Sequence, residues 1–325
     1  MLNKIMKRSK QKIRKRKVGR PKTLDATEFV GIRLPADLLK RIEDWARGGR
    51  VHGRSQAVRA LIDKSILALM PRQSEPRDPE FAKSVAYAQK LLDASIAVVG
   101  ACHINLNAQG ARDPKIVALS LLCRSISNFR ASVRLAQQDQ PSEARAMVRL
   151  LNENLLWIGS LREKRAEFVK EMIEEERHNQ KVLAQVTLDL TRKHGGDIAS
   201  DGALQLRNIV RKLSGQSKGQ KTLKAAEVAS AGVVELAYVE YLRFSLDGVH
   251  CSVTALGKHL SREEGELTLS IVPNTSPSEQ LDTVLHACRA LMGVAVAANE
   301  MVGFTSASEL LSAAVDEFER NGWRF

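Results

Sequence analysis

Between Glu28 and Pro35 the chain alternates, with Val30, Ile32 and Leu34 on one side and Phe29, Gly31 and Arg33 on the other. A period of two predicts a short strand with one apolar face. The period then lengthens: Leu38, Leu39, Ile42, Trp45 and Ala46 recur at helical spacing, and Arg47-Gly48-Gly49-Arg50 stops that helix, since glycine tolerates the backbone that closes one. Ser55 is a good N-cap for a second helix whose apolar positions are Val58, Leu61, Ile62, Ile66 and Leu69. Residues 71–80 carry Pro71, Pro76 and Pro79 and read as a linker.

Helical spacing dominates everything beyond. It predicts helices near 80–106, 114–138, 142–162, 164–194, 200–214, 222–242, 244–260, 277–302 and 306–321, separated by Gly and Pro breakers, with residues 267–272 alone reading as a strand. No repeat of about 20–50 residues is visible. The expected class is mainly α: a β-α-α unit over 27–70, preceded by an arm over 1–26, and a larger all-α bundle over 81–325.

Composition changes the picture through the placement of charge. The 325 residues are 44% hydrophobic and only 4% aromatic, which suits a globular helical protein better than a large β-sandwich. The net charge is +13. Residues 1–22 hold eleven Lys or Arg and no acid, residues 23–70 hold eight basic and six acidic residues, and residues 71–325 balance at 31 of each. One end is therefore built for a polyanion and the rest is neutral. Cys102, Cys123, Cys251 and Cys288 have no metal-ligand spacing and read as buried free thiols of a reducing compartment. No run reaches the ~20 apolar residues of a membrane helix and no secretory signal is visible, so a cytoplasmic, nucleoid-associated protein without membrane contact is expected.

One strand and two helices in so short a unit cannot enclose a core alone. The strand ending Ile32-Arg33-Leu34-Pro35, the run Leu38-Leu39-Lys40-Arg41-Ile42 and the stretch Gly53-Arg54-Ser55-Gln56-Ala57-Val58-Arg59 resemble the ribbon-helix-helix family of DNA-binding domains, the CopG/MetJ/Arc type. The resemblance implies an intertwined homodimer whose paired strands enter the major groove of double-stranded DNA. Phe29, Gly31 and Arg33 then face the bases. Arg33 alone carries a donor fork for guanine O6 and N7, and Gly31 departs from the usual polar residue, so direct readout is thin. Ser55, backbone amides at its helix start and Arg54 are expected to hold a phosphate. In the arm, Lys17-Val18-Gly19-Arg20-Pro21-Lys22 is similar to the centre of an AT-hook, with Arg20 reaching into an A·T minor groove and Lys17 and Lys22 beside it; Val18 stands where a basic residue is usual.

The helical end offers candidates of several kinds. Arg149 and Glu153 lie one turn apart. The stretch 241–259 is dense in reactive types: as a single helix it would put Arg243, Asp247, His250 and Thr254 on one face, and Ser245, Ser252 and His259 on another. Ser245, Asp247, His250, Ser252, Leu256 and His259, with Arg149 and Glu153 upstream, resemble an uncharacterised bacterial helical family, domain of unknown function 5677, over about residues 115–305. That resemblance implies no activity. Arg243 and His250 also fit the Arg-x(4–6)-His spacing of HEPN ribonucleases, where His moves a proton and Arg supports a phosphate. Glu175-x-x-His178 and Asp247-x-x-His250 resemble halves of a two-metal carboxylate bundle lacking its partnering glutamates. The bland reading is a buried polar network that orients helices, and the small residues around Gly248 favour it, with His250 buried.

The sequence thus points to a dimeric, sequence-specific DNA-binding regulator with a helical sensing or interaction domain whose ligand is open. It favours a binding protein over an enzyme, with no cofactor and no metal. The alternative is an RNA-cleaving, toxin-type helical domain fused to a DNA-binding autorepressor or antitoxin.

Overall fold

The computed structural model describes residues 78–103, 109–214, 222–263, 266–271 and 273–323, with isolated positions 40, 42, 44 and 58. Packing divides the chain between Met70 and Pro71, and the second unit is described here by itself. Apart from those four positions, the strand, the two helices and the arm expected in residues 1–70 lie outside the described residues. So do Lys17, Arg20, Lys22, Phe29, Gly31, Arg33, Arg54 and Ser55.

The described part is mainly α. Helix α1 (Pro79–Gly100) starts inside the stretch read as linker, because the Asp78 side chain accepts from the Glu80 N–H and Pro79 suits a first turn. It ends at Gly100, short of the expected 106. A 3₁₀ turn (Gly110–Arg112) leads to α2 (Pro114–Gln137), capped by Asp113, and α3 (Pro141–Lys164) follows. Arg165, at a φ of 55°, turns the chain into α4 (Ala166–Lys193), and α5 (Asp201–Ser214) packs back along it.

The region expected as two helices over 222–260 is broken more finely. It forms α6 (Ala225–Ala231), α7 (Glu235–Gly248), α8 (Val253–Gly257) and a hairpin of β1 (Leu260–Glu263) with β2 (Glu266–Leu269), antiparallel, Leu260 opposite Leu269. The first break comes where the chain passes α3: a Cβ on Gly232 would stand 2.5 Å from the Ser160 nitrogen and 2.6 Å from the Gly159 carbonyl carbon, and the next residue, Val233, turns the chain at a φ of 56°. At the second, Ser252 caps a new helix by accepting from the Ala255 N–H at 3.0 Å. The single-helix reading of 244–260, and the two shared faces drawn on it, are therefore corrected. Helices α9 (Pro277–Met301) and α10 (Ser308–Arg320) close the unit.

Helix α3 sits at the centre, packed by α2, α6, α7 and α9, while α1 lies against α2 and α9 and carries α10. Leu122, Leu151, Leu156, Ile158, Leu161, Leu291 and Phe244 are fully enclosed, each contributing about 1.5–3 kcal/mol by leaving water. Tyr87, Phe318 and Trp323 pack edge to face and tilted, 5.4–5.6 Å between centroids, and the Tyr87 hydroxyl donates to the Ala314 carbonyl at 3.0 Å, pinning α10 on α1. Two sequence expectations change here. Helices α2 and α9 are each long and apolar enough to cross a membrane, but α9 buries Val284, Ala287, Cys288, Leu291, Val294 and Ala298 in the protein's own core. Of the four thiols only Cys288 is buried, Cys102 is half-buried, and Cys123 and Cys251 are exposed.

Candidate functional site

Four residues of α3, each one turn after the last, form a row: Arg145, Arg149, Glu153 and Trp157. Two features of the row's surroundings decide what it does: how closely α7 approaches, and what the first turn of α9 presents.

Helix α7 reaches α3 at a glycine. A Cβ on Gly248 would stand 2.8 Å from the Ala146 nitrogen and 3.0 Å from the Ser142 carbonyl oxygen, so no larger residue fits without displacing backbone. That contact sets the preceding residue, Asp247, against Arg145 at 2.9 Å. Helix α9 begins with a capping box, Ser276 accepting from the Glu279 N–H while the Glu279 carboxylate accepts from the Ser276 N–H. The same carboxylate accepts from Arg145 at 3.2 Å and from Lys258 at 2.9 Å. Arg145 Nε donates to the Thr283 hydroxyl at 3.2 Å, and Asp282 lies 3.7 Å from Nη2. One guanidinium, 3% exposed, thus ties α3, α7 and α9 together.

A second cation continues the network outward. Arg243 donates to Asp282 at 2.6 Å and lies 3.4 Å from Glu240. His286, nearly buried and edge-on to the Phe244 ring at 5.2 Å, faces both acids, Nδ1 being 3.4 Å from Glu240 and Nε2 3.2 Å from Asp282. Nε2 is also 3.1 Å from Arg243. With its proton on Nδ1 the ring accepts from Arg243; with its proton on Nε2 it donates to Asp282. Burial pushes the Asp282 carboxyl up, but His286, Arg243 and Arg145 outweigh it and hold the group below its ordinary range. Glu279 behaves alike: burial raises it, and Lys258, the Ser276 N–H and Arg145 bring it below the usual value.

Further along the row, Arg149 pairs with Glu153 at 2.8 Å, donates to the Tyr241 hydroxyl at 2.7 Å and lies 4.6 Å from that ring's centroid. Glu153 also lines an open cavity of about 860 Å³ between α2, α3 and α4, with Asn154, Trp157, Met172, Ile173 and Glu175. Burial pushes the Glu175 carboxyl up; the Leu223 N–H, 3.1 Å away, opposes this, Glu153 adds to it and His178 opposes it, leaving a raised pKa. A raised carboxyl favours the folded state most when protonated, so this group detracts from stability at neutral pH and ceases to do so as pH falls through its folded value. Glu175→Gln keeps the acceptor for Leu223 and removes the charge. Its melting temperature at pH 7 is expected to rise by less than the ~2–4 °C that 1 kcal/mol gives at this size, with the gain vanishing in acid. Thermal unfolding at pH 7 and pH 4 measures this, and a lower melting temperature at pH 7 contradicts it.

The sequence candidates fall into three groups. Arg149, Glu153 and Asp247 are held in ion pairs, two of them with each other. Ser245, Ser252 and His259 serve the backbone: the Ser245 hydroxyl donates to the Tyr241 carbonyl, the Ser252 hydroxyl to the Leu246 carbonyl, and His259 Nδ1 lies 3.0 Å from the Ser270 carbonyl oxygen. Arg243 and His250 do not meet: among the described residues no hydrogen bond joins them. His250 is exposed in the turn after α7, which corrects its expected burial. Glu175 with His178 and Asp247 with His250 do not build a metal site, since no group of three or more His, Cys, Asp or Glu able to hold an ion occurs among the described residues. Sequence reasoning missed Arg145, Lys258, Glu279, Asp282 and His286. The Ser276-x-x-Glu279 box was the one visible signal. Chemically, the constellation is a latch of paired charges, with no nucleophile next to a base.

Residues 115–267 match the model of a family of unknown function, DUF5677. The match ends in β2, short of the residue 305 expected, so it includes Arg145, Arg149, Glu153, Arg243, Asp247 and Lys258 and leaves out the α9 side of the latch. No curated protein and no solved structure matches the chain.

Proposed function

We propose that this protein is a sequence-specific DNA-binding protein, a transcriptional regulator whose helical unit senses a ligand or docks a partner. The observation that carries the reading is the segregation of charge: the whole excess of +13 lies in residues 1–70, eleven of the cations in the first 22, while residues 71–325 are neutral. The alternating strand over 28–35 and the capped helix from Ser55 support a ribbon-helix-helix dimer, since the strand's apolar face needs a second copy to cover it. The open cavity beside Trp157 and Glu175 supports a sensing role for the helical unit. The ribonuclease alternative draws no support from the latch, where Arg243 is tied to Asp282 and His250 stands apart from it.

Base readout is tested at Arg33. With a site selected from random-sequence DNA, Arg33→Ala is expected to reduce the specific-to-nonspecific affinity ratio by ~1–3 kcal/mol, the contribution of one bidentate arginine–guanine pair. Binding to unrelated DNA should change far less. Titration of both DNAs at one salt concentration measures the ratio, and an unchanged ratio removes the strand from base reading.

A further inference from the structure

The cavity between α2, α3 and α4 holds about 860 Å³, within the ~300–1,000 Å³ that small-molecule sites occupy. Three oxygens on its lining lack donors. Glu153 spends Oε2 on Arg149 at 2.8 Å, and its Oε1 has no partner among the described residues. Glu175 spends Oε1 on the Leu223 N–H at 3.1 Å, and its Oε2 has none there either. Asn154, 2% exposed, donates through Nδ2 to the Ser125 hydroxyl at 3.0 Å. That hydroxyl gives its own proton to the Leu121 carbonyl at 2.7 Å, so it can only accept from Asn154, and the amide's orientation is fixed. Asn154 Oδ1 is then an acceptor on a nearly buried side chain with no donor among the described residues. Such a group is costly to leave unpaired, and on a cavity wall it points to a donor from outside the chain.

Three open acceptors, two of them on carboxylates, suit a group with three donors and a positive charge, the inventory of a primary ammonium. The electrostatics agree. Glu153 and Glu175 are close enough for the charge of one to raise the other. Arg112, Arg124 and Arg177 also line the cavity, yet among the described residues none forms an ion pair with either carboxylate. Trp157 stands one turn after Glu153 on the same face of α3, and an indole ring is the best aromatic partner for a cation. Leu121, Met172 and Ile173 supply apolar wall beside it. Arg112 and Arg124 are exposed, so they suit an anionic group at the solvent end of the ligand, the arrangement an amino acid would use.

We propose that this cavity binds a primary ammonium group on an apolar body, the nitrogen held by Glu153 Oε1, Glu175 Oε2 and Asn154 Oδ1 and the body lying against Trp157. This rests on the sensing reading of the helical unit and names the class of its ligand. The full-length chain, labelled with 5-fluorotryptophan, gives one fluorine resonance for each of its three tryptophans, and Trp157→Phe identifies the one in the cavity. Phenethylamine is expected to move that resonance saturably, with half-saturation at about 1 mM or below, while the resonance of Trp323, in the aromatic cluster of α1 and α10, stays in place and reports an intact fold. Its neutral counterpart 2-phenylethanol should bind at least tenfold more weakly. Glu175→Gln and Glu153→Gln should each weaken phenethylamine at least tenfold, and Glu174→Gln, exposed on α4 and off the cavity lining, should not. L-Phenylalanine separates the two sources of the ammonium: tighter binding than phenethylamine assigns the site to an amino acid, weaker binding to a simple amine. Saturation by neither amine overturns the proposal, as does equal binding of the alcohol or an affinity indifferent to both cavity substitutions. DNA affinity is measured in the same samples. If it is unchanged while the Trp157 resonance is saturated, the sensing reading fails and the binding site stands.

Discussion

Arg145→Ala is expected to destabilise the helical unit by about 3 kcal/mol, the lower end of the ~3–5 kcal/mol seen when one partner of a buried ion pair is removed. The variant leaves Asp247, Glu279 and Asp282 facing one another around an emptied position, and Thr283 without its donor. The value sits at the low end because these carboxylates are 23–34% exposed and water screens part of their repulsion. Arg145→Lys keeps the charge and loses the fork that serves α7 and α9 together, so it should recover only part of the loss. Urea unfolding followed by circular dichroism measures both, and a loss below about 1 kcal/mol for Arg145→Ala would mean that the latch does not hold the three helices.

The latch also sets an acid limit. Asp282 and Glu279 are held below their ordinary values in the fold, so their contribution is complete above the unfolded carboxylate range, near pH ~4. It is lost as pH falls through the lower folded values. Wild-type stability should therefore decline below about pH 4, and Arg145→Ala, which weakens the stabilising field, should show a shallower decline there.

The second large effect belongs to the arm. Eleven cations in residues 1–22 should make log affinity for DNA fall with log salt at about −0.9 per neutralised phosphate. Deleting residues 1–22 is expected to flatten that slope and weaken binding to all sequences, by orders of magnitude at low salt if six or more phosphates are contacted. Affinities measured between about 50 and 200 mM salt, the range in which 6–10 contacts lose ~10³–10⁵, give the slope directly. A slope unchanged by the deletion would place the phosphate contacts elsewhere.

What was legible in the sequence is what short-range physics decides. The long helices α2, α3 and α9 follow from apolar spacing with Pro at their starts, α4 follows from its spacing alone, and Arg149–Glu153 follows from one helical turn. The fine division of 222–260 was not legible, because the chain turns at Val233, a branched residue at a φ of 56°, beside the close approach of Gly232 to Gly159 and Ser160, some seventy positions earlier in the chain. Ser245, Ser252 and His259 were legible as a pattern but not as backbone ties, since a motif records residue types and not the direction in which a hydroxyl donates.

By itself, then, the sequence determined the mainly α class, the charge asymmetry and the positions of the long helices, all of which depend on neighbours within a few residues or on counting. The tertiary structure alone decided the latch. Arg145 finds Asp247, Glu279 and Thr283 at separations of 102, 134 and 138 residues. No local period encodes such a meeting, which exists because Gly248 lets α7 close on α3 and the capped start of α9 brings two carboxylates to the same guanidinium.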